Sequence, residues 1–428
     1  MPNAQRAKIV IIGGGFAGIA AARTFKGEPV DVVVIDRSNH HVFQPLLYQV
    51  ATATLAPSDI AVPIRWMLRR QANVRVVMGE VTGISVDERR VVLDGGTLVE
   101  SYDYLVVASG ARHAYFGHDD WEPNAPGLKS LDDALEIRYR FLQSFERAER
   151  CDDPEQRAAL QTIVIIGGGP TGVELAGIMA TIARDVMHDD FRRIDTRATR
   201  VVILEGGSRL LASFPERLSE EARRRVVELG VEVRLEAIVT RIEHGAVYVG
   251  DERIATRSIF WAAGNAASPL GRMLGVALDT AGRVLVEGDL SITGHPEVFV
   301  AGDLAAVRRG NGKLVPSVAP AANQEGAFAA KNILRTLRHQ ERKRFVYFNK
   351  GDLATIGRYR AIADFGTIDF TGVPAWLLWL FVHIIYLVGF RNRVTVLIQW
   401  AWAYFAYQRG SRLIVGSAFR GHRDETTH

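Results

Sequence analysis

"IVIIGGG" occurs twice, at residues 9–15 and again at 163–169. Each copy is a β-branched apolar run that closes on three glycines. "FAGIAAARTF" follows the first and "PTGVELAGIMATIA" the second, and both read as helices. Strand, glycine turn and helix, in that order, give the G-x-G-x-x-G pattern its meaning. The matching glycines are Gly13, Gly15 and Gly18, then Gly167, Gly169 and Gly172. In each set the first permits a tight turn, the second lets a pyrophosphate come up to the backbone, and the third lets the helix pack against the strand. The helix N-terminus then presents free N–H groups and a partial positive charge to the phosphates.

A ribose-binding acid is expected at the end of the next strand. "VDVVVID" puts Asp36 there in the first copy and "RVVILE" puts Glu205 there in the second. Two dinucleotide sites on one chain imply a flavin dinucleotide and a nicotinamide dinucleotide. A carboxylate at position 205 repels a 2′-phosphate, which favours NADH over NADPH, with Arg209 the cation close by in sequence.

The totals agree with an ordered protein of two or three domains: 428 residues, 48% hydrophobic, with 40 glycines against 15 prolines. A net charge of +4 gives no basic surface that argues for nucleic acid. The single cysteine, Cys151, excludes an internal disulfide and a paired-thiol redox motif. "MPNAQRAKIVIIGGG" runs straight into a buried-strand pattern, so no secretion signal is expected. The histidines show no metal-binding spacing. His40 and His41 are adjacent and point to different sides of a strand or helix, so no metal centre is expected.

Three further strand ends carry the same logic. "YDYLVVASGAR" (102–112) ends in Ala108, Ser109 and Gly110, "SIFWAAGNAAS" (258–268) in Ala263 and Gly264, and "PEVFVAGDLA" (296–305) in Gly302 and Asp303. This succession resembles the two-dinucleotide-domain flavoprotein fold shared with glutathione reductase. The resemblance implies an α/β chain with two Rossmann-like domains, FAD on the first fingerprint and NAD(P)H on the second. It also implies that Asp303 meets the flavin ribityl chain and that Val81, in "GEVTGI", offers its backbone to the adenine. The expected path is an FAD domain (1–115), a helical connection (116–160), an NADH domain (161–285), the FAD domain again (286–344), and a strand pair with membrane-attachment helices (345–428).

Four more segments concern the electron acceptor: "NHHVFQPLLYQVATATLAPSDIAVPIR" (39–65), "PSVAPAANQEGAFAAKNI" (316–333), "FVYFNKGDLATIGRYRAIADF" (345–365) and "GVPAWLLWLFVHIIYLVGFRNR" (372–393). With the two fingerprints they resemble type II NADH:quinone oxidoreductases, single-subunit respiratory dehydrogenases that do not pump protons. The implied reaction is hydride transfer from NADH to FAD, then two-electron transfer to a quinone. The family's A-Q-x-A-x-Q element beside the flavin reads here Ala319-Pro320-Ala321-Ala322-Asn323-Gln324, so Pro320 replaces the first glutamine and only Gln324 inherits the quinone-side role. The resemblance also implies a role in proton delivery for Glu174, which lies in the first turns of the second fingerprint helix. Two other readings compete: a soluble NADH-dependent reductase of a ferredoxin- or rubredoxin-like protein, and a slow-turnover NADH-responsive scaffold.

The tail weighs against a soluble enzyme. Residues 373–390 form an apolar run that reaches about 27 Å as a helix, short of a hydrocarbon core of about 30 Å. In the second run, 394–407, Trp400, Tyr404 and Tyr407 share one helical face suited to the headgroup level. Six arginines follow Phe390 and are drawn to anionic lipid. The expectation is monotopic attachment through 373–412 at the cytoplasmic face of the membrane, with lipid and quinone as partners. The sequence leaves open whether the chain forms a homodimer.

Overall fold

Both glycine signatures open helices, Phe16–Thr24 (α1) and Pro170–Thr181 (α2); Ala319–Leu337 (α3) and Gly372–Tyr386 (α4) are the other two helices that matter for function. The computed structural model describes residues 6–357, 359–387, 392–398, 400 and 412–414. The chain divides into two compact units, one of residues 1–42, 61–112 and 265–350, the other of residues 43–60, 113–264 and 351–428.

The first unit is built on a sheet in the order Ser291–Ile292, His295–Val300, Tyr104–Val107, Ala7–Ile12, Val30–Asp36, Val74–Met78. All neighbours are parallel except the first pair. A parallel sheet covered on both faces needs near-continuous apolar strands, and "AKIVII" and "VDVVVID" supply them. The second unit repeats this arrangement: its parallel sheet runs Val231–Arg234, Arg200–Leu204, Thr162–Ile166, Ser258–Trp261. The repeat extends to an antiparallel three-stranded insert, residues 81–101 before Tyr104–Val107 in the first unit and residues 239–255 before Ser258–Trp261 in the second.

Three expected features shift. The first unit resumes at Asn265 rather than 286, because Ala267, Leu274 and Val284 are buried in the same apolar core as the first sheet. The strand pair expected from residue 345 begins at Asp352, where Asp352–Thr355 pairs with Ala361–Asp364 and a third strand, Asp369–Thr371, follows. Residues 43–60, expected within the first domain, belong to the second unit.

In the tail, α4 spans 15 residues, a length of about 22 Å, and no described helix is long and apolar enough to cross a membrane. Residues 392–398 and 400 are helical. Trp400 does not face outward as its spacing suggested. It is 3% exposed, its Nε1–H donates to Gln49 Oε1 at 2.8 Å, and its ring lies 5.3 Å from that of Trp379. Tyr404 and Tyr407 lie outside the described residues. Outward apolar side chains of the described tail include Val373, Leu377, Phe381 and Ile385, one ridge at i+4 spacing, together with Val394, Leu397 and Ile398.

Candidate active site

The two glycine turns have nearly superimposable stereochemistry. Gly13 has φ +105° and Gly167 φ +110°, where an L side chain is strained. A Cβ on Gly13 would sit 2.3 Å from the Ala108 carbonyl oxygen, and one on Gly167 2.7 Å from the Ala262 carbonyl. At the third positions the Cβ would fall 1.8 Å from the Gly13 oxygen for Gly18 and 1.9 Å from the Gly167 oxygen for Gly172. Around Gly15 and Gly169, by contrast, nothing lies within 4 Å of that point. Each turn is thus packed tightly at its first and third glycines and open at the second, the position at which the glycine pattern expects a pyrophosphate. Both helix N-termini lack a side-chain cap, so their N–H groups are left for a ligand.

The two acids are placed alike. Asp36 Oδ2 accepts from Gly14 N at 2.6 Å and Oδ1 from Ser38 N at 2.7 Å. Glu205 Oε2 accepts from Gly168 N at 2.5 Å and Oε1 from Gly207 N at 2.7 Å. In both copies the carboxylate ties its own loop to the middle glycine. Arg209 donates to the Ala212 carbonyl at 2.9 Å.

In the first unit Ala108 is buried at the end of strand Tyr104–Val107. Ser109 follows, its Oγ shielded from solvent and without a hydrogen-bond partner among the described residues. A shielded hydroxyl of this kind is what a bound group satisfies. Gly110 accepts from Ser268 N at 3.1 Å through its carbonyl. Val81 starts its strand at a shift in register against Leu93. Gly302 (φ +76°) opens the one-turn helix Gly302–Leu304 that carries Asp303. The turn lies against Ala17 and Ala322, in a cluster of alanines that lets α1 and α3 approach closely. A Cβ on Gly326 would lie 2.0 Å from the Ala17 carbonyl oxygen. Ala319 and Pro320 form the first turn of α3, where a missing N–H costs the helix nothing, so Pro320 is accommodated. Gln324 donates from Nε2 to the carbonyls of Pro320 (3.1 Å) and Phe348 (3.0 Å), and its Oε1 accepts from Phe348 N (3.0 Å).

In the second unit Gly264 (φ +74°) leaves no room for a side chain, because a Cβ would meet the Phe116 ring at 2.5 Å. Ala263 packs on the aromatic cluster of Tyr115, Trp121 and Trp261. Glu174 keeps some exposed surface on α2, yet the groups crowded around it desolvate its carboxyl and push it up to about 8, against the pull of the Thr355 amide 3.5 Å away.

Two residues join the site to which the sequence assigned no role there. His41 is buried, its Nδ1 lies 2.9 Å from the Gly14 carbonyl, and its ring is edge-on to Phe16. Burial lowers its pKa, so it braces the first glycine turn as a neutral ring. Adjacency sends the His40 and His41 side chains to different sides, and the structure turns that of His41 inward. Glu325 is also buried; it accepts from Gly302 N at 2.6 Å, and desolvation, with Asp303 adding to it, pushes its carboxyl up to about 8. The sequence signal was an acid inside the small-residue helix "AANQEGAFAA".

Two cradles of one design, each closed by an acid, define a pyridine nucleotide-disulphide oxidoreductase, and that family matches residues 7–326. The NDH2 C-terminal domain matches residues 349–407. The chain belongs to the type II NADH:quinone oxidoreductases. It is 44% identical to the type II NADH:quinone oxidoreductase Ndh of Mycobacterium tuberculosis over 96% of this chain and 92% of that one. It is 43% identical to NdhA of the same organism, over 96% and 89% respectively. Among solved structures it resembles NDH2 from Plasmodium falciparum, determined in complex with NADH, with a TM-score of 0.87 and 20% identity over 96% of this chain and all of that one.

Proposed function

We infer that the protein is a membrane-associated FAD enzyme that oxidises NADH and reduces a quinone without pumping protons. The observation that carries this reading is the twin cradle: two turns, each open only at its second glycine and each closed by a carboxylate. The first cradle fits FAD. Gly15 leaves space that suits a pyrophosphate, Asp36 closes the turn from the strand end at which a ribose-binding acid is expected, and the shielded Ser109 hydroxyl lacks a partner among the described residues. Bound FAD supplies the two-electron chemistry that couples hydride removal from NADH to quinone reduction.

The chain's own residues bind, orient and protonate. The α1 and α2 N-termini hold the two pyrophosphates. Asp303, on the turn that Glu325 holds by its Gly302 N–H bond, is proposed to fix the ribityl chain, and Val81 the adenine. Ala319, in the first turn of α3, is assigned to the flavin side, and Ala263 and Gly264 to the nicotinamide side. Cys151 is the only cysteine in the chain, so no thiol pair competes for the electrons. The outward ridge of α4 and residues 394–398 is suited to lie in one leaflet, where a lipid-soluble quinone is available, on the cytoplasmic face that contacts the NADH pool.

Glu205 is assigned to the NADH ribose. Glu205→Ala should raise KM for NADH about tenfold and narrow the preference over NADPH by a similar factor. Loosening of the loop would impair both nucleotides equally. Steady-state assays with each nucleotide distinguish these outcomes, and an unchanged preference removes Glu205 from the ribose site.

Glu174 is assigned to proton supply. With its carboxyl pushed up to about 8, it is protonated at pH 7 and loses its proton as pH rises through about 8. A proton donor of this kind makes quinone turnover fall over that interval. Glu174→Gln should lower turnover by about 10–100-fold and abolish that limb of the pH profile. A variant with the same alkaline limb would assign the titration to another group.

A further inference from the structure

Residues 343–348 pass beside α3 without regular secondary structure and outside any sheet. Two side-chain amides of α3 hold this strip by its backbone. Asn332 donates to the Lys343 carbonyl at 2.9 Å and accepts from the Lys343 N–H at 3.0 Å. Gln324 does the same at Phe348, with both bonds at 3.0 Å. Each amide imitates the donor–acceptor pair that a neighbouring strand would offer. Between the two clamps the side chains alternate. Phe345 is buried edge-on to Phe328 at 5.3 Å, and Tyr347 lies under the Arg309 guanidinium, whereas Val346 and Phe348 face out, 80% and 69% exposed.

The bonds of Gln324 decide what it can do. A primary amide has two N–H donors, and here one goes to Pro320 and the other to Phe348. Donation to a quinone carbonyl would require giving one of these up, and its oxygen cannot donate. We propose that Gln324 is a positioning residue for quinone reduction: its amide pins the Phe348 backbone to α3, and the outward Val346 and Phe348 side chains form the apolar lip that receives the quinone. The lip suits the substrate, because an exposed aromatic edge and a branched aliphatic group contact a planar apolar ring without needing a hydrogen bond. This inference rests on the quinone reading above.

A double-mutant cycle tests it on the full-length holoenzyme in lipid, with Gln324→Met, Phe348→Ala and both together. Gln324→Met keeps length and removes every hydrogen bond, while Phe348→Ala removes the ring and keeps the backbone bonds. Each single variant should raise KM for quinone about tenfold, with KM for NADH unchanged, and the double variant should be no worse than either. Hydrogen exchange at the Phe348 amide should accelerate in Gln324→Met alone of the single variants. The exchange result does not depend on the electron acceptor, so it reports the clamp even if quinone proves not to be the substrate. A wild-type enzyme that turned over with no quinone would sink the functional reading while leaving the clamp intact. The positioning role is overturned if Phe348→Ala leaves KM for quinone unchanged, if the two effects multiply, or if Phe348 exchange is unaltered in Gln324→Met.

Discussion

Gly169→Val should yield a folded, yellow protein that NADH no longer bleaches. Gly169 has φ −73°, and no heavy atom lies within 4 Å of the point where a Cβ would stand, so valine fits both the backbone and the cradle. The side chain then occupies the space in which the pyrophosphate must meet the α2 N-terminus. Loss of about two charge-assisted hydrogen bonds is worth about 3–5 kcal/mol, roughly a hundred- to several-thousandfold in kcat/KM for NADH. The neighbouring Gly172 shows why position matters. A Cβ there would fall 1.9 Å from the Gly167 oxygen, so a substitution disrupts the turn itself and says nothing about binding. Rapid mixing with NADH, with dithionite as a control for an intact flavin, reads the result. Bleaching by NADH at the normal rate would mean that the second cradle does not hold the nucleotide.

Leu377→Glu with Phe381→Glu should release the protein from membranes. These side chains are 54% and 62% exposed and neighbours on the outward ridge of α4. Losing their transfer into lipid and adding charge costs about 3–4 kcal/mol, roughly a 200- to 1,000-fold weaker partition onto vesicles. The fold should survive, because Ala375, Trp376 and Trp379 on the opposite face make the buried contacts. Sedimentation with vesicles measures the effect. Reduction of a lipid-dissolved quinone should fall with binding, while reduction of a water-soluble dye persists. Unchanged sedimentation would move the attachment elsewhere in the chain. Arg412, expected to meet lipid, is instead paired with Asp190, so electrostatic attraction from that position is already spent within the protein.

The cradles were legible because their constraints are local. A positive φ at Gly13 and the close approach at Gly18 leave a glycine signature within a short contiguous stretch, and the acid follows at the end of the next strand. The doubling of the signature also anticipated the matching sheet orders of the two units. The spacing of Trp400, by contrast, gave a helical face without telling which way it turned. Its indole N–H is captured by Gln49, 351 residues away in sequence, and periodicity contains no such partner. The same holds for residues 345–348. Their continuous apolar run reads as a strand, but the backbone partners come from amides on a helix, which strand patterning cannot distinguish. Glu174 and Glu325 were visible as acids, whereas the desolvation that keeps them protonated depends on packing.

Anaerobic titration of the purified protein in liposomes tests the central claim most directly. The bound chromophore should be released and identified as FAD. In the intact protein its colour should be lost stoichiometrically with NADH and restored stoichiometrically by a quinone dissolved in the bilayer. A protein that stays colourless after reconstitution with FAD, or one whose NADH-bleached colour quinone fails to restore, would contradict the account.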